Sequence, residues 1–599
     1  MVVAAAAALL AFYLAVDALG AFWLDLGSTN FPTPRYVTFV AFWALFGSLA
    51  ATLLAVALSR RLGTSSQIER LAAQCRALPE WRVLVWTCTA AFVIPLVLRL
   101  RVLQGAPLAD DEGAYRFAAE LLASGRLWVS SPEPRLFFDQ NFMINDGRLY
   151  PVYFLGWPAL LAMGTLIHAP GVVNPLLSAL TVPALLRVLR HFVGPVWAVG
   201  GILLFLSAPF VQIAAATQLS HTSSLMALTW CLAMYLQTTR PDASMRAHAG
   251  FAFFLAVAFC IRPQSAVALA LPLVVSWMFA LRSAERRLRM RAALAFLVPS
   301  AVLAALFLSA LWAQNGSPLR VGYARYNRFI VENGFRFTSF EPNDLTTIPG
   351  FDFTQIALGV ARTAAGIFRL NFDLFGWPSS FAFIVLSLPF LSVRGRLLWA
   401  MSGSFLVLML FQRDWGIDTF GPLHAFELSL PILVLTIVGA RNLSERLTWT
   451  EAEGVPERWQ WSVFPACLLA AFIACAGLAF VPVRLQAVGE IAGHLNQALR
   501  APERAGLHRA VIFAPWPFAP SCGLTPRHFV LFRPVNDPDL QNDVLWVNHV
   551  DVESDRRLVE SLPDRTGYVM QWTATCEVTL LPLATLKPGD VPPGRVRLH

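Results

Sequence analysis

Three consecutive acids, Asp110, Asp111 and Glu112, are the residues of this chain whose type and spacing most invite chemistry. They follow directly on an apolar run, so they stand where a membrane helix would meet water. Behind them Ala114, Phe117, Ala118, Leu121 and Leu122 recur at helical spacing, while Glu112, Tyr115, Arg116 and Glu120 fall largely on other faces. The pattern predicts a short amphipathic helix lying on the bilayer surface, with a carboxylate cluster at its start and a stop at Ser124-Gly125. Two readings of the acids stand together. Asp110 or Asp111 can cap the first turn and suit its dipole, and a capping acid can still present an oxygen to a substrate.

Other polar residues at the ends of apolar runs are candidates for the same reason, because a charge at a membrane helix centre costs roughly 2.5–3.5 kcal/mol. Arg262-Pro263 interrupts the apolar region 248–281. It is either an interfacial arginine snorkelling to headgroups or a ligand for phosphate, whose oxygens pair with guanidinium bidentately. His221 sits at a helix end in Gln218-Leu-Ser-His-Thr-Ser. Arg320, Tyr323, Arg325, Tyr326 and Arg328 interleave cations with aromatics, which suits a sugar or a phosphate but also any membrane-proximal loop. His424 and Glu427, three residues apart, share a helix face and either satisfy each other or line one cavity.

The elements that must position these residues are membrane spans. The chain has 599 residues, 56% hydrophobic and only 14% charged. A soluble protein cannot hide that much apolar side chain, so the bilayer must solvate much of it. The apolar runs, about 14 to 24 residues long, suit helices rather than barrel strands. Lys and Arg exceed the acids by 46 to 37, but the arginines cluster in short loops between apolar runs, which argues for topology and against nucleic acid. Runs at about 2–24, 36–58, 82–101, 172–189, 195–213, 219–237, 248–261, 264–281, 292–313, 376–392, 397–412, 421–440 and 461–480 give about 13 spans. Arg60, Arg61, Arg70, Arg76 and Arg82 place the second loop in the cytoplasm, so the N-terminus is inside and the Asp110 cluster outside. The stretch 151–169 is expected to be external or re-entrant rather than spanning.

Two external loops are therefore expected, at about 102–171 and 315–375, within a membrane module covering 1–481. From 482 to 599 the composition shifts to that of a soluble external segment. Val511-Ile-Phe, Val544-Leu-Trp-Val and Gly567-Tyr-Val-Met read as strands and Ser554–Leu562 as a helix, a small α/β unit. Its two cysteines, Cys522 and Cys576, could pair in an oxidising compartment if their Cα atoms come close. The other six cysteines lie in or beside apolar runs and read as packing residues.

Asp111-Glu-Gly-Ala-Tyr-Arg-Phe-Ala-Ala-Glu-Leu-Leu-Ala-Ser-Gly-Arg-Leu resembles the first external loop of the GT-C glycosyltransferases, in the branch of protein O-mannosyltransferases and the lipid A aminoarabinose transferase. Tyr150-Pro…Gly156-Trp-Pro-Ala-Leu-Leu161 is similar to the next signature of that family, Ala258-Phe-Cys-Ile-Arg-Pro263 to its basic turn, and Phe420-Gly-Pro…Glu427…Pro431 to a late span. The resemblance implies an all-α polytopic fold and a polyprenyl-phosphate sugar donor. It implies transfer with inversion on the external face, to a lipid, glycan or protein acceptor. In it Asp111 would be the general base, with Asp110 and Glu112 beside it. Arg262 would hold the donor phosphate, with Arg116 and Arg325 behind it. Tyr115, Tyr150, His221, His424 and Glu427 would line the substrate site. Tyr150 stands where some relatives carry a second acid, for which Asp139, Asp146 or Glu112 could substitute. A divalent cation is possible at the acids, and no metal ligand set is assigned. The setting implied is a bacterial plasma membrane. A transporter or flippase of lipid-linked sugars is the competing class, but no matching halves are visible.

Overall fold

The structure, a computed structural model, describes residues 1–18, 32–62, 79–140, 142–326, 356–388, 395–412, 415–418, 421–451, 461–515, 533–573 and 577–591, with a few positions between 70 and 77. Seven helices among them are long and apolar enough to cross a membrane: Pro34–Leu62, Glu80–Val102, Pro170–Ser207, Pro263–Arg282, Arg286–Asn315, Leu423–Leu447 and Phe464–Leu499. Val2–Ala18, Met245–Ile261 and Arg396–Leu410 are shorter and apolar. The chain is an integral membrane protein, helical but for small sheets. Leu423–Leu447 is the most enclosed of the long helices, while Arg286–Asn315 shows nearly all of its apolar surface to the outside. That is the contrast expected between a central helix and one solvated by lipid.

Several boundaries differ from the expected ones. The two spans expected at 172–189 and 195–213 are continuous in hydrogen bonding over Val173–Ser207 but break at Gly194, where φ is 77°. Only glycine adopts that conformation cheaply, and Pro195 begins the next segment. The second run then ends early, and Pro209–Ala216 forms a separate short helix. The stretch 151–169 holds only an 11-residue helix, Gly156–Leu166. At 1.5 Å per residue it is about 16 Å long and cannot span a core of about 30 Å. The long loop 315–375 contains an 18-residue helix, Ile356–Asp373. The last of the long helices runs unbroken across residue 481 to Leu499, with a π-helical turn at Ala476–Phe480. At 36 residues it is about 54 Å long, so its second half must stand outside the hydrocarbon.

The end of Ile356–Asp373 carries a wholly buried polar cluster. Asp373 accepts from Arg369 at 2.9 Å, from Arg484 at 3.0 Å and from the Tyr36 hydroxyl at 3.1 Å, and Arg369 lies 4.0 Å over the Tyr36 ring. It joins three elements distant in sequence.

The α/β unit forms as expected. Ala510–Ala514 is central, parallel to Val544–Asn548 on one side and to Thr566–Trp572 on the other, and Val578–Pro582 adds an antiparallel edge. Helix Val552–Glu560 is capped by Asp551, which accepts from the amides of Glu553 and Ser554. Cys522 and Cys576 lie outside the described residues.

Candidate active site

The acid cluster opens a helix, Asp110–Ala123, as the periodicity predicts. The cap, however, is neither Asp110 nor Asp111. The helix starts at Asp110, its N-cap is Ala109, and Glu112 in the first turn reaches back to the backbone. Glu112 Oε1 accepts from the amides of Leu108 at 2.6 Å and Ala109 at 3.4 Å, and Oε2 from the amide of Gln218 at 2.7 Å. With 1% of its surface exposed, Glu112 is a structural acid rather than a reacting one. The Asp110 side chain lies outside what is described.

Asp111 faces the other way and accepts a hydrogen bond from the Tyr153 hydroxyl. Tyr153 packs at a tilt against Tyr115, with ring centroids 4.4 Å apart, and Tyr323 meets it edge-on at 5.7 Å. Tyr115 and Ser220 are hydrogen-bonded through their hydroxyls at 3.2 Å. Burial, and then the charge of Asp111, pushes the Tyr115 phenol well above its ordinary pKa, so it stays protonated. Ser220 in turn accepts from Arg262 at 3.4 Å. Arg262 Nε lies 2.9 Å from Glu427 Oε1, whose other oxygen accepts from Ser265 at 3.0 Å. A continuous polar wall thus runs from a carboxylate, through two tyrosines and a serine, to a guanidinium held by a fully buried glutamate.

Each part of that wall has a local cause. Arg262 sits at the break between Met245–Ile261 and Pro263–Arg282, in extended backbone that Pro263 enforces. Gly156 abuts this break: a Cβ there would meet the Cys260 carbonyl oxygen at 2.4 Å, so only glycine allows the second motif to pack on the arginine turn. Segment Thr217–Ser220 is pinned from three sides. Asn174 donates to the carbonyls of Thr217 and Leu219 at 2.8 Å, Trp157 to that of Gln218 at 2.9 Å, and Glu112 takes the Gln218 amide. Glu112 therefore helps to set Ser220.

Of the expected site residues, Asp111, Tyr115, Arg262 and Glu427 come together. His221, next to Ser220, is 4% exposed and packs its ring against Phe426 at 5.7 Å. His424 lies on the same 3₁₀ segment as Glu427, Leu423–Leu428, but hydrogen-bonds Gln412 at 2.8 Å. Others are engaged elsewhere. Tyr150 is fully buried, donates to Asn315 at 3.1 Å, and has its phenol pushed up to about 12 by burial. Arg325 spends its guanidinium on Asp146, at 2.8 and 2.9 Å from Nη2, and on the Gln314 carbonyl. Arg325 thereby ties the long loop to the first loop. Arg116 is 57% exposed beside Glu120. Asp139 accepts from Asn145 at 2.9 Å and is buried. Among the described residues no three His, Cys, Asp or Glu side chains converge as a metal site.

Tyr153, Ser220 and Ser265 were not singled out from the sequence. Tyr153 was within reach, since Tyr150-Pro-Val-Tyr153 offers two tyrosines and the first lies in strand Arg148–Pro151, whose pairing turns it inward.

No family model and no curated protein matches the sequence. Solved structures do. The chain is similar to ArnT from Cupriavidus metallidurans. Against that protein bound to undecaprenyl phosphate the TM-score is 0.46 at 15% identity, over 84% of this chain and 98% of that one. Against its apo state the score is 0.46 at 15% identity, over 82% and 93%. The archaeal oligosaccharyltransferase AglB from Archaeoglobus fulgidus, in complex with an inhibitory peptide and a dolichol-phosphate, gives 0.41 at 12% identity, over 82% of this chain and 69% of that one.

Proposed function

We propose that the chain is an integral-membrane glycosyltransferase of the GT-C class that moves a sugar from a polyprenyl-phosphate donor to an acceptor hydroxyl. One observation carries the reading. A partly accessible carboxylate, Asp111, and an arginine at a helix break, Arg262, terminate one polar wall, hydrogen-bonded at each end and joined in the middle by the contact of the Tyr153 and Tyr115 rings. That is the pair of groups the chemistry needs. Asp111 takes the proton of the acceptor hydroxyl. The new O–C bond forms at the anomeric carbon while the C–O bond to phosphate breaks, with inversion. The lipid phosphate leaves with the electron pair, and its charge is met by Arg262. Glu427, itself held by Ser265, meets the guanidinium at one edge, and Tyr115 and Ser220 keep its distance from the base. Tyr323, partly exposed beside the buried Tyr153 and Tyr115, offers an aromatic surface to the sugar. The clustering of arginines in alternate loops supports an N-terminus inside and a C-terminal unit outside, and we place the protein in a bacterial plasma membrane.

The test is transfer from a panel of polyprenyl-phosphate sugars by purified protein in lipid, wild type beside Asp111→Asn. The reading expects turnover by wild type and a loss of about 10²–10⁴-fold in the variant, with donor binding retained. Donor bound equally by both proteins and turned over by neither would overturn it in favour of a lipid-sugar transporter.

A further inference from the structure

The C-terminal sheet leans on the same loop that carries Asp111, and it does so at three places. Phe137 and Phe138, from helix Arg135–Phe138 of that loop, sit in the apolar core of the C-terminal unit, with Phe137 edge-on to Phe513 at 6.1 Å. Around them Asn548 donates to the carbonyls of Leu136 at 2.9 Å and Asp139 at 2.8 Å. Arg533 donates to those of Phe138 and Asp139, each at 3.3 Å. Farther along, Arg126 holds Asp539 through two bonds of 2.6 and 2.7 Å. Finally, Val535 closes on the Asp111 helix itself: a Cβ on Gly113 would meet Val535 Cγ2 at 2.6 Å.

The position of these contacts matters. The strand order reverses at Ala510–Ala514, and the crevice beyond the carboxyl ends of such strands is where open α/β sheets place their ligands. Asn548, the last residue of its strand, uses that end to grip the chain's own first loop. A separate binding module would keep the crevice open and its core complete without borrowed phenylalanines.

We propose that the C-terminal unit is a clamp that sets the position of the Asp111 helix, with Gly113, Val535 and the Arg126–Asp539 pair as positioning residues for the reaction proposed above. The inference rests on that reading for its effect on rate, but not for its effect on structure. Gly113 makes it decidable by sign. Glycine is the poorest non-proline residue in a helix interior, so alanine would strengthen a helix that nothing touched. Against Val535 the same methyl must push the helix or the tail aside, and displacements of about 1 Å at a reacting group cost up to about 10²-fold in rate.

The experiment uses the full chain in lipid nanodiscs. Wild type, Gly113→Ala, Gly113→Ala with Val535→Ala, Asp539→Arg, and Asp539→Arg with Arg126→Asp are compared for kcat and donor KM, and for hydrogen–deuterium exchange over residues 110–123. Gly113→Ala is expected to lower kcat at least about tenfold with donor KM within about twofold, and to speed exchange in that helix. Trimming Val535 is expected to restore both, and the double charge reversal to restore what Asp539→Arg loses. Wild-type kcat and exchange in Gly113→Ala, or a loss that Val535→Ala leaves in place, would overturn the clamp. The two readings fail separately. Exchange that responds as expected in a protein that turns over no donor keeps the clamp and removes the transferase. Turnover abolished by Asp111→Asn but unmoved by Gly113→Ala does the reverse.

Discussion

Replacing Tyr153 by phenylalanine removes one hydroxyl from the site and leaves its shape. The ring keeps its tilted contact with Tyr115 at 4.4 Å and its edge contact with Tyr323 at 5.7 Å. What is lost is the donor to Asp111 Oδ1. A hydrogen bond to a charged group contributes about 1.5–3 kcal/mol, and about 1.36 kcal/mol corresponds to one pH unit of titration. A donor favours the ionised form, so a base that loses it takes up its proton at higher pH. The assay is kcat/KM for sugar transfer against pH, in lipid. The acid limb is expected to move to higher pH, with the rate lost on the acid side and the plateau above it changed less. An acid limb that stays in place would refute the assignment of Asp111 as the titrating base under Tyr153. Asp111→Asn in the same assay then separates the causes: if it too leaves turnover intact, the base lies elsewhere.

Glu427→Gln removes the charge opposite Arg262 at 2.9 Å while leaving an oxygen for Ser265. Losing one partner of a buried pair costs about 3–5 kcal/mol, less here because Arg262 is 18% exposed. Donor affinity, measured by titration in nanodiscs, is expected to weaken at least about tenfold. Asp373→Asn leaves Arg369 and Arg484, each 2% exposed, facing a neutral side chain, and is expected to lower stability by about 3–5 kcal/mol, read as early thermal unfolding in lipid. Glu112→Ala strips the acceptor from three backbone amides. At about 1–3 kcal/mol for each buried amide left unpaired, exchange at 108–112 and 217–220 should rise by more than about tenfold. Arg116→Ala, on an exposed face, is expected to change turnover by less than about twofold.

What was legible in the sequence followed from hydropathy and short-range rules. Apolar runs placed the seven long helices of the described residues, Arg262-Pro263 marked a break that the backbone takes, and Asp110 opened a helix where the period changed. The strands at 510–514, 544–548 and 566–572 were readable for the same reason. What was not legible depends on partners far along the chain. Asp111 and Glu112 are adjacent and chemically alike, yet one faces Tyr153 and the other is sealed by the Gln218 amide. Nothing within the acid cluster itself distinguishes them, because burial is decided by segment Thr217–Ser220, which Asn174 and Trp157 must first fold into place. Arg325 reads as a free cation until Asp146 takes it. Tyr150 and Tyr153 differ only in that a strand ends between them.

Gly113 carries this reasoning one step further. Inside a helix it looks like a local defect, since alanine would serve the helix better. Its reason is Val535, in the C-terminal unit. A residue that is locally unfavourable and non-locally required marks a place where the fold gives up helix stability for close approach. Two such places bracket the candidate site: Gly113 under the C-terminal unit, two residues from Asp111, and Gly156 against the backbone of the Arg262 turn. The carboxylate and the guanidinium are thus each set by a contact that tolerates no side chain. In the transfer proposed above, a base and a phosphate ligand held at one separation through a catalytic cycle need both ends of that distance fixed.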